Sequence, residues 1–207
     1  MIKYVVFDFD GTLADTKGVF VSAWNQLTEK YGYKKLELNQ LDTLKKLTIK
    51  ERSELLGFPM YKIPFVMPEL LSLYKHSIPE IKLFDGIQEL LVELQRKGFK
   101  IAIISSNSSE NINEFLKRNN LEGTITNVLT SSRIFGKDKV INKFLKTNKL
   151  NPDEIIYVGD EYRDIVACKK SNVKMIWVEW GYDGLEVIQS ANPDYKVSHP
   201  EEIVTII

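Results

Sequence analysis

Three apolar runs, each ending in small polar or acidic residues, constrain this chain most. Tyr4-Val5-Val6-Phe7 leads into Asp8-Phe9-Asp10-Gly11-Thr12. Lys100-Ile101-Ala102-Ile103-Ile104 leads into Ser105-Ser106-Asn107, and Ile155-Ile156-Tyr157-Val158 into Gly159-Asp160. Runs that are apolar at consecutive positions have no polar face, so they predict strands covered on both sides, as in the middle of a parallel sheet. Further strands are expected at Ile125 to Leu129 and Lys174 to Val178. Helical spacing lies between them: Ile87-Leu90-Leu91-Leu94 closed by Gly98, Ile112-Phe115-Leu116 after a serine and asparagine cluster, and a helix around Val140 to Leu145. This alternation predicts an α/β fold with a Rossmann-like, doubly wound parallel sheet. Such sheets bind ligands at the carboxyl ends of their strands, where the polar clusters fall.

Residues 15 to 81 break the rhythm. Phe20, Val21, Trp24, Leu27 and Tyr31 recur at helical spacing. Thr48 and Glu51 form a capping box for a helix running toward Leu56, which Gly57 and Pro59 would end, and Pro64, Pro68 and Pro79 punctuate the rest. The expected organisation is a core of residues 1–14 and 82–207, with a small helical cap, 15–81, inserted after the first strand. Phe20, Trp24 and Tyr31 then read as cap core, and Lys45, Lys46, Lys50 and Arg52 as a solvated helical face.

Lys plus Arg and Asp plus Glu number 28 each, so no net charge draws the chain to nucleic acid or to a membrane surface. No stretch approaches the roughly 20 apolar residues of a membrane span. The single cysteine, Cys168, cannot form an internal disulfide. These features lead us to expect a cytoplasmic protein, monomer or homodimer. His76 and His199 lack companions at metal-ligand spacing.

Asp8 and Asp10 carry the chemistry. A carboxylate at a strand end can attack phosphorus and form an aspartyl-phosphate, splitting hydrolysis into two easier steps. A second carboxylate two residues on can protonate the leaving oxygen and then deprotonate water. Asp8-Phe9-Asp10-Gly11-Thr12-Leu13 resembles the first signature of the haloacid dehalogenase superfamily, phosphatase branch. The resemblance implies Asp8 as nucleophile, Asp10 as acid/base and a magnesium ion bound by both, through the backbone carbonyl in the case of Asp10. It makes Ser105 the hydroxyl that bonds the transferring phosphoryl group, with Ser106 the neighbouring alternative. Asn107 and adjacent amides offer further phosphate contacts, and Gly11 and Thr12 are counted with them. Gly136-Lys137-Asp138-Lys139 holds the family's lysine, for which Lys137 is preferred to Lys139, although the proline that commonly follows that lysine is missing here. Gly159-Asp160-Glu161-Tyr162-Arg163-Asp164 matches the fourth signature, which makes Asp160 a direct metal ligand and Asp164 a second acid that ligates the metal or orients its waters, the alternative for Asp164 being an N-terminal helix acid favoured by the dipole.

Phe84-Asp85-Gly86-Ile87 and Trp180-Gly181-Tyr182 resemble the phosphoglycolate phosphatase-like subgroup. The resemblance therefore implies a hydrolase of small phosphate monoesters, with phosphoglycolate the first candidate, no nucleic-acid or membrane partner, and a hinge at Asp15 and Thr16, residues that capping of the first insertion helix explains equally well. Two readings stay open beside it: a phosphomutase of the β-phosphoglucomutase type, and a non-hydrolytic regulatory module phosphorylated on Asp8.

Overall fold

The computed structural model describes residues 1–131 and 135–207. In chain order the elements are β1 (Tyr4–Phe7), β2 (Ala14–Asp15), α1 (Lys17–Tyr31), α2 (Leu41–Lys45), α3 (Ile49–Leu55), α4 (Ile63–Ser77), β3 (Lys82–Leu83), α5 (Ile87–Arg96) and β4 (Lys100–Ser105). They continue with α6 (Ser109–Arg118), β5 (Ile125–Thr130), α7 (Lys137–Asn148), β6 (Ile155–Gly159), α8 (Tyr162–Lys170), β7 (Lys174–Val178), α9 (Leu185–Ile188), β8 (Tyr195–Val197) and α10 (Ile203–Ile206). Six strands form one sheet in the order β5-β4-β1-β6-β7-β8, and every neighbouring pair is parallel. This is the expected α/β architecture, with a helical insertion after the first strand.

Side chains of a strand alternate between the two faces of its sheet. Val5 and Phe7 pack with Ile101, Ile103 and Val158 against Leu91 and Leu94 of α5 and Ile112 and Phe115 of α6. Tyr4 and Val6 face the other way, with Ile104 and Tyr157, onto Ile141 and Phe144 of α7 and Ile165 of α8. Because β1 is central, both faces must be apolar, and its four residues are all buried. The strand ends of β1, β4 and β6 consequently come into register side by side, Phe7 opposite Ile103 and Val158.

β8 is a sixth strand that sequence pattern missed. Its three residues include an outward Lys196, too little apolar material to stand out, and parallel pairing with β7 makes it a strand. β2 and β3 form a two-residue antiparallel ribbon, Ala14 opposite Leu83 and Asp15 opposite Lys82, where the chain leaves and re-enters the sheet region. Thr48 and Glu51 do form the capping box of α3, and Gly57 follows that helix at φ +66°. Pro68 corrects the expectation that the prolines only punctuate this stretch, because it lies inside α4. Pro64 occupies the first turn, where no backbone N–H partner is needed, and Pro68 removes one bond close to that end. α7 starts at Lys137, directly after Gly136 and two residues before the expected start near Lys139, and the Lys137 side chain pairs with Asp8 at the sheet's acidic end. Among the described residues no helix is long and apolar enough to cross a membrane.

Candidate active site

Four charged side chains converge where β1 and β6 end. Asp8 follows β1, Asp160 follows β6, Asp164 lies in the first turn of α8, and Lys137 opens α7. All four are buried. Lys137 Nζ donates to Asp8 Oδ2 and to Asp164 Oδ1, each at 2.6 Å. Lys139, the alternative lysine, is exposed. Asp8 Oδ1 accepts the Phe9 amide at 2.7 Å. Asp160 accepts the Thr12 hydroxyl on Oδ1 at 2.8 Å and the Tyr182 amide on Oδ2 at 2.7 Å.

Carboxylate oxygens of Asp8, Asp160 and Asp164 all lie within 4.8 Å of one another. Burial and the surrounding acids push the Asp160 carboxyl well above its ordinary value. Burial lifts Asp164 to about 7, although Lys137 pulls it back down. Burial alone would lower Lys137, but the carboxylates of Asp164 and Asp8 outweigh it and hold the ammonium above its ordinary value. Three carboxylates around one lysine leave excess negative charge in a buried place. Hard oxygen donors in that condition suit a divalent cation. The donor set fits the metal expected from the sequence, with the side chains of Asp8, Asp160 and Asp164 as holders. Asp10 contributes no carboxylate to the cluster.

Asp10 is partly exposed on the wall of a cavity beside the cluster. Both its oxygens accept from Asn107 Nδ2, at 3.2 and 3.0 Å. Asn107 is itself fixed, since its Oδ1 accepts the Ser108 amide at 2.7 Å and Asn111 Nδ2 at 3.0 Å. Desolvation and the charge of Asp8 push Asp10 up to about 7, against the opposing pull of Asn107. A carboxyl poised there can give and take a proton near neutrality.

The remaining expected phosphate contacts divide. Ser105, at the end of β4, is buried and accepts the Asn107 amide at 3.2 Å. The Ser106 hydroxyl accepts from Arg163 at 3.3 Å and lines the cavity. Gly11 and Thr12 instead turn inward. The Gly11 amide bonds Ala14 O at 3.0 Å, and the Thr12 hydroxyl is taken by Asp160. Gly11 holds φ +76°, and a β-carbon there would meet Asp160 Oδ2 at 2.4 Å.

Gly181 carries an equally tight constraint: a β-carbon would stand 2.1 Å from Asp160 Cβ. Gly181→Ala is expected to push the 179–183 loop off Asp160, lowering stability by about 1–3 kcal/mol and weakening metal binding. Thermal unfolding and a metal titration check both effects. Sequence reading did not foresee the part played by this loop. Lys17 Nζ donates to Trp180 O at 2.6 Å and Lys45 Nζ to Glu179 O at 2.5 Å. Arg52 donates to Tyr182 O at 3.1 Å and to Asp183 Oδ1 at 2.5 Å. Lys45 and Arg52 were expected on a solvated face, but the loop's carbonyls and Asp183 draw them in. Lys50 stays exposed, 3.9 Å from Glu54. Thr16 does not cap α1 and meets the Tyr182 hydroxyl at 2.9 Å.

A family model for haloacid dehalogenase-like hydrolases matches residues 5–178. The chain belongs to that family. Matched residues include the whole Asp8, Lys137, Asp160 and Asp164 cluster of this haloacid dehalogenase-like hydrolase. A phosphoglycolate phosphatase of Synechococcus elongatus is 25% identical over 206 residues, covering 100% of this chain and 97% of the relative. A pyrophosphatase PpaX of Bacillus mycoides is 22% identical over 223 residues, covering 100% of this chain and 97% of the relative. In structure, a haloacid dehalogenase-like family hydrolase from Streptococcus pneumoniae superposes with a TM-score of 0.82 at 22% identity, covering 99% of this chain and 98% of that one. That likeness shows the shared fold.

Proposed function

We propose that this hydrolase is a magnesium-dependent phosphatase that moves the phosphoryl group of a small phosphate monoester first to Asp8 and then to water. The observation that carries the reading is the buried cluster in which Lys137 bridges Asp8 and Asp164 beside Asp160, with Asp10 next to it at the cavity wall.

In the first step an Asp8 carboxylate oxygen bonds to phosphorus, the ester P–O bond breaks, and the departing alkoxide takes the proton of Asp10. In the second step Asp10, now a carboxylate, removes a proton from water as the water oxygen attacks phosphorus. Asp8 leaves as a free carboxylate, phosphate departs, and Asp10 is protonated again. Lys137 orients the Asp8 carboxylate and offsets charge on the phosphoryl oxygens. Ser105, Ser106 and Asn107 are placed to contact those oxygens, and Gly11 and Thr12 shape the loop that sets Asp160. Bound magnesium would neutralise phosphoryl charge as a Lewis acid, held by Asp8, Asp160, Asp164 and the Asp10 carbonyl. Residues 15–81 serve as a cap over this site, which excludes water and limits substrates to small molecules. Phosphoglycolate and pyrophosphate, for which relatives are named, are the reference compounds.

Metal removal tests the proposal. Exhaustively chelated protein is expected to lose hydrolysis of p-nitrophenyl phosphate, magnesium to restore it, and calcium to inhibit. Full activity without divalent metal would falsify the metal-dependent reading.

Asp10 sets the expected pH dependence. Its proton is present below about 7 and lost above it, so hydrolysis of alkyl phosphates, whose leaving groups need that proton, falls as pH rises through this range. Asp10→Asn is expected to lower alkyl phosphate turnover by about 10²–10⁴-fold and to remove this limb. A pH–rate profile of the variant that keeps the wild-type limb would assign the acid/base role elsewhere.

A further inference from the structure

A cavity of about 360 Å³ runs from Asp10 and Asn107 into the helical insertion. Its far walls are apolar, with Phe20 and Trp24 from α1, Leu41 from α2, Ile49 from α3, and Val66 and Leu70 from α4. The cations on its rim are turned aside. Lys17, Lys45 and Arg52 all donate to the 179–183 loop and Arg163 donates to Glu161 and Ser106, so their charge is gathered on the core side of the cavity. Binding sites of several hundred Å³ with apolar walls and a few convergent polar groups accept ligands built the same way, polar at one end and apolar at the other.

From this we infer that the alcohol half of the substrate is apolar and larger than glycolate: the enzyme acts on an alkyl or aryl phosphate monoester whose hydrocarbon fills the space between α1 and α4. The inference rests on the phosphatase reading and goes beyond it, because the catalytic cluster addresses only the phosphoryl end. Glycolate would leave most of the cavity unfilled. Sugar hydroxyls meet the same walls, and each one left without a partner costs roughly 10-fold or more. Each added methylene that enters the cavity is expected to raise affinity about fourfold.

The test is kcat/KM for methyl, butyl, hexyl and octyl phosphate below their micellar concentrations, with phosphoglycolate and glycerol 3-phosphate as references, in magnesium. In parallel, calorimetry measures binding of the matching alkylphosphonates, whose C–P bond does not hydrolyse. We expect both series to climb with chain length until the cavity is full, and octyl phosphate to exceed phosphoglycolate. Ile49→Trp, at a wall position partly open to solvent, is expected to fill the cavity and abolish the gain. A flat series, or phosphoglycolate above octyl phosphate, overturns the inference. If no ester is hydrolysed, p-nitrophenyl phosphate included, the phosphatase reading fails, and the phosphonate series still decides the cavity: affinity rising with chain length supports an apolar ligand, and flat affinity overturns it. Should Ile49→Trp fail to fold, the wild-type series give the same decision.

Discussion

Asp8→Asn is expected to lower turnover of any good phosphate ester by about 10⁴-fold or more, with the fold retained. An amide nitrogen or carbonyl oxygen cannot carry the phosphoryl group. Retention of the fold follows from the packing. Asparagine matches the size of aspartate, its oxygen can still accept the Phe9 amide, and Lys137 keeps Asp164 at 2.6 Å. Steady-state kinetics with p-nitrophenyl phosphate and a circular dichroism melt check the two halves of this expectation. Folded Asp8→Asn protein working near the wild-type rate would remove Asp8 from the nucleophile's role.

The second large effect concerns Lys137. Lys137→Met is expected to reduce kcat by about 10³-fold, because it removes a preorganised charge beside the nucleophile, whereas Lys139→Met stays within about twofold since that side chain is exposed. Stability in chelator responds too. Removing one partner of a buried ion pair costs about 3–5 kcal/mol, and the loss here depends on pH. Asp164 sits at about 7 even with Lys137 present, and without the lysine it holds its proton still more firmly. A carboxyl raised in the folded state binds more protons folded than unfolded, so stability falls as pH rises between the ordinary carboxylate range and the raised value. The variant's deficit is therefore largest above neutrality and shrinks toward pH 5. Equal losses from the two lysine variants would contradict the assignment.

The sheet was legible in the sequence because its central strands must be apolar on both faces, and few other structures demand that of residues such as Val5, Val6 and Phe7. The polar residues after them stood out for the same reason, as abrupt ends to apolar runs. Weaker elements left no such trace. β8 has three residues and becomes a strand only through β7, and the β2/β3 ribbon has two residues on each side. Asp8 and Asp160 could be named because each follows an apolar strand, whereas Asp164 and Lys137, which lie in the first turns of helices, were reached only through the family resemblance. The contacts from the insertion could not be named, since Lys17, Lys45 and Arg52 meet residues 130 or more positions away through backbone carbonyls that any sequence would offer. Nor could the apolar cavity be read from spacing. Phe20 and Trp24 look the same whether a helix buries them or turns them toward a ligand.

Covalent catalysis on Asp8 is tested most directly by trapping the phosphoryl group. Asp10→Asn slows the second step, so mixing this variant with a ³²P-labelled aryl phosphate and quenching in acid should catch the acyl phosphate. In a parallel sample borohydride reduction converts a phosphorylated aspartate to homoserine with release of the phosphate, and peptide mass spectrometry locates the homoserine. The expected result is one burst of aryl alcohol per enzyme with label and homoserine at position 8. Label on another residue, or a full burst with position 8 unmodified, would contradict it.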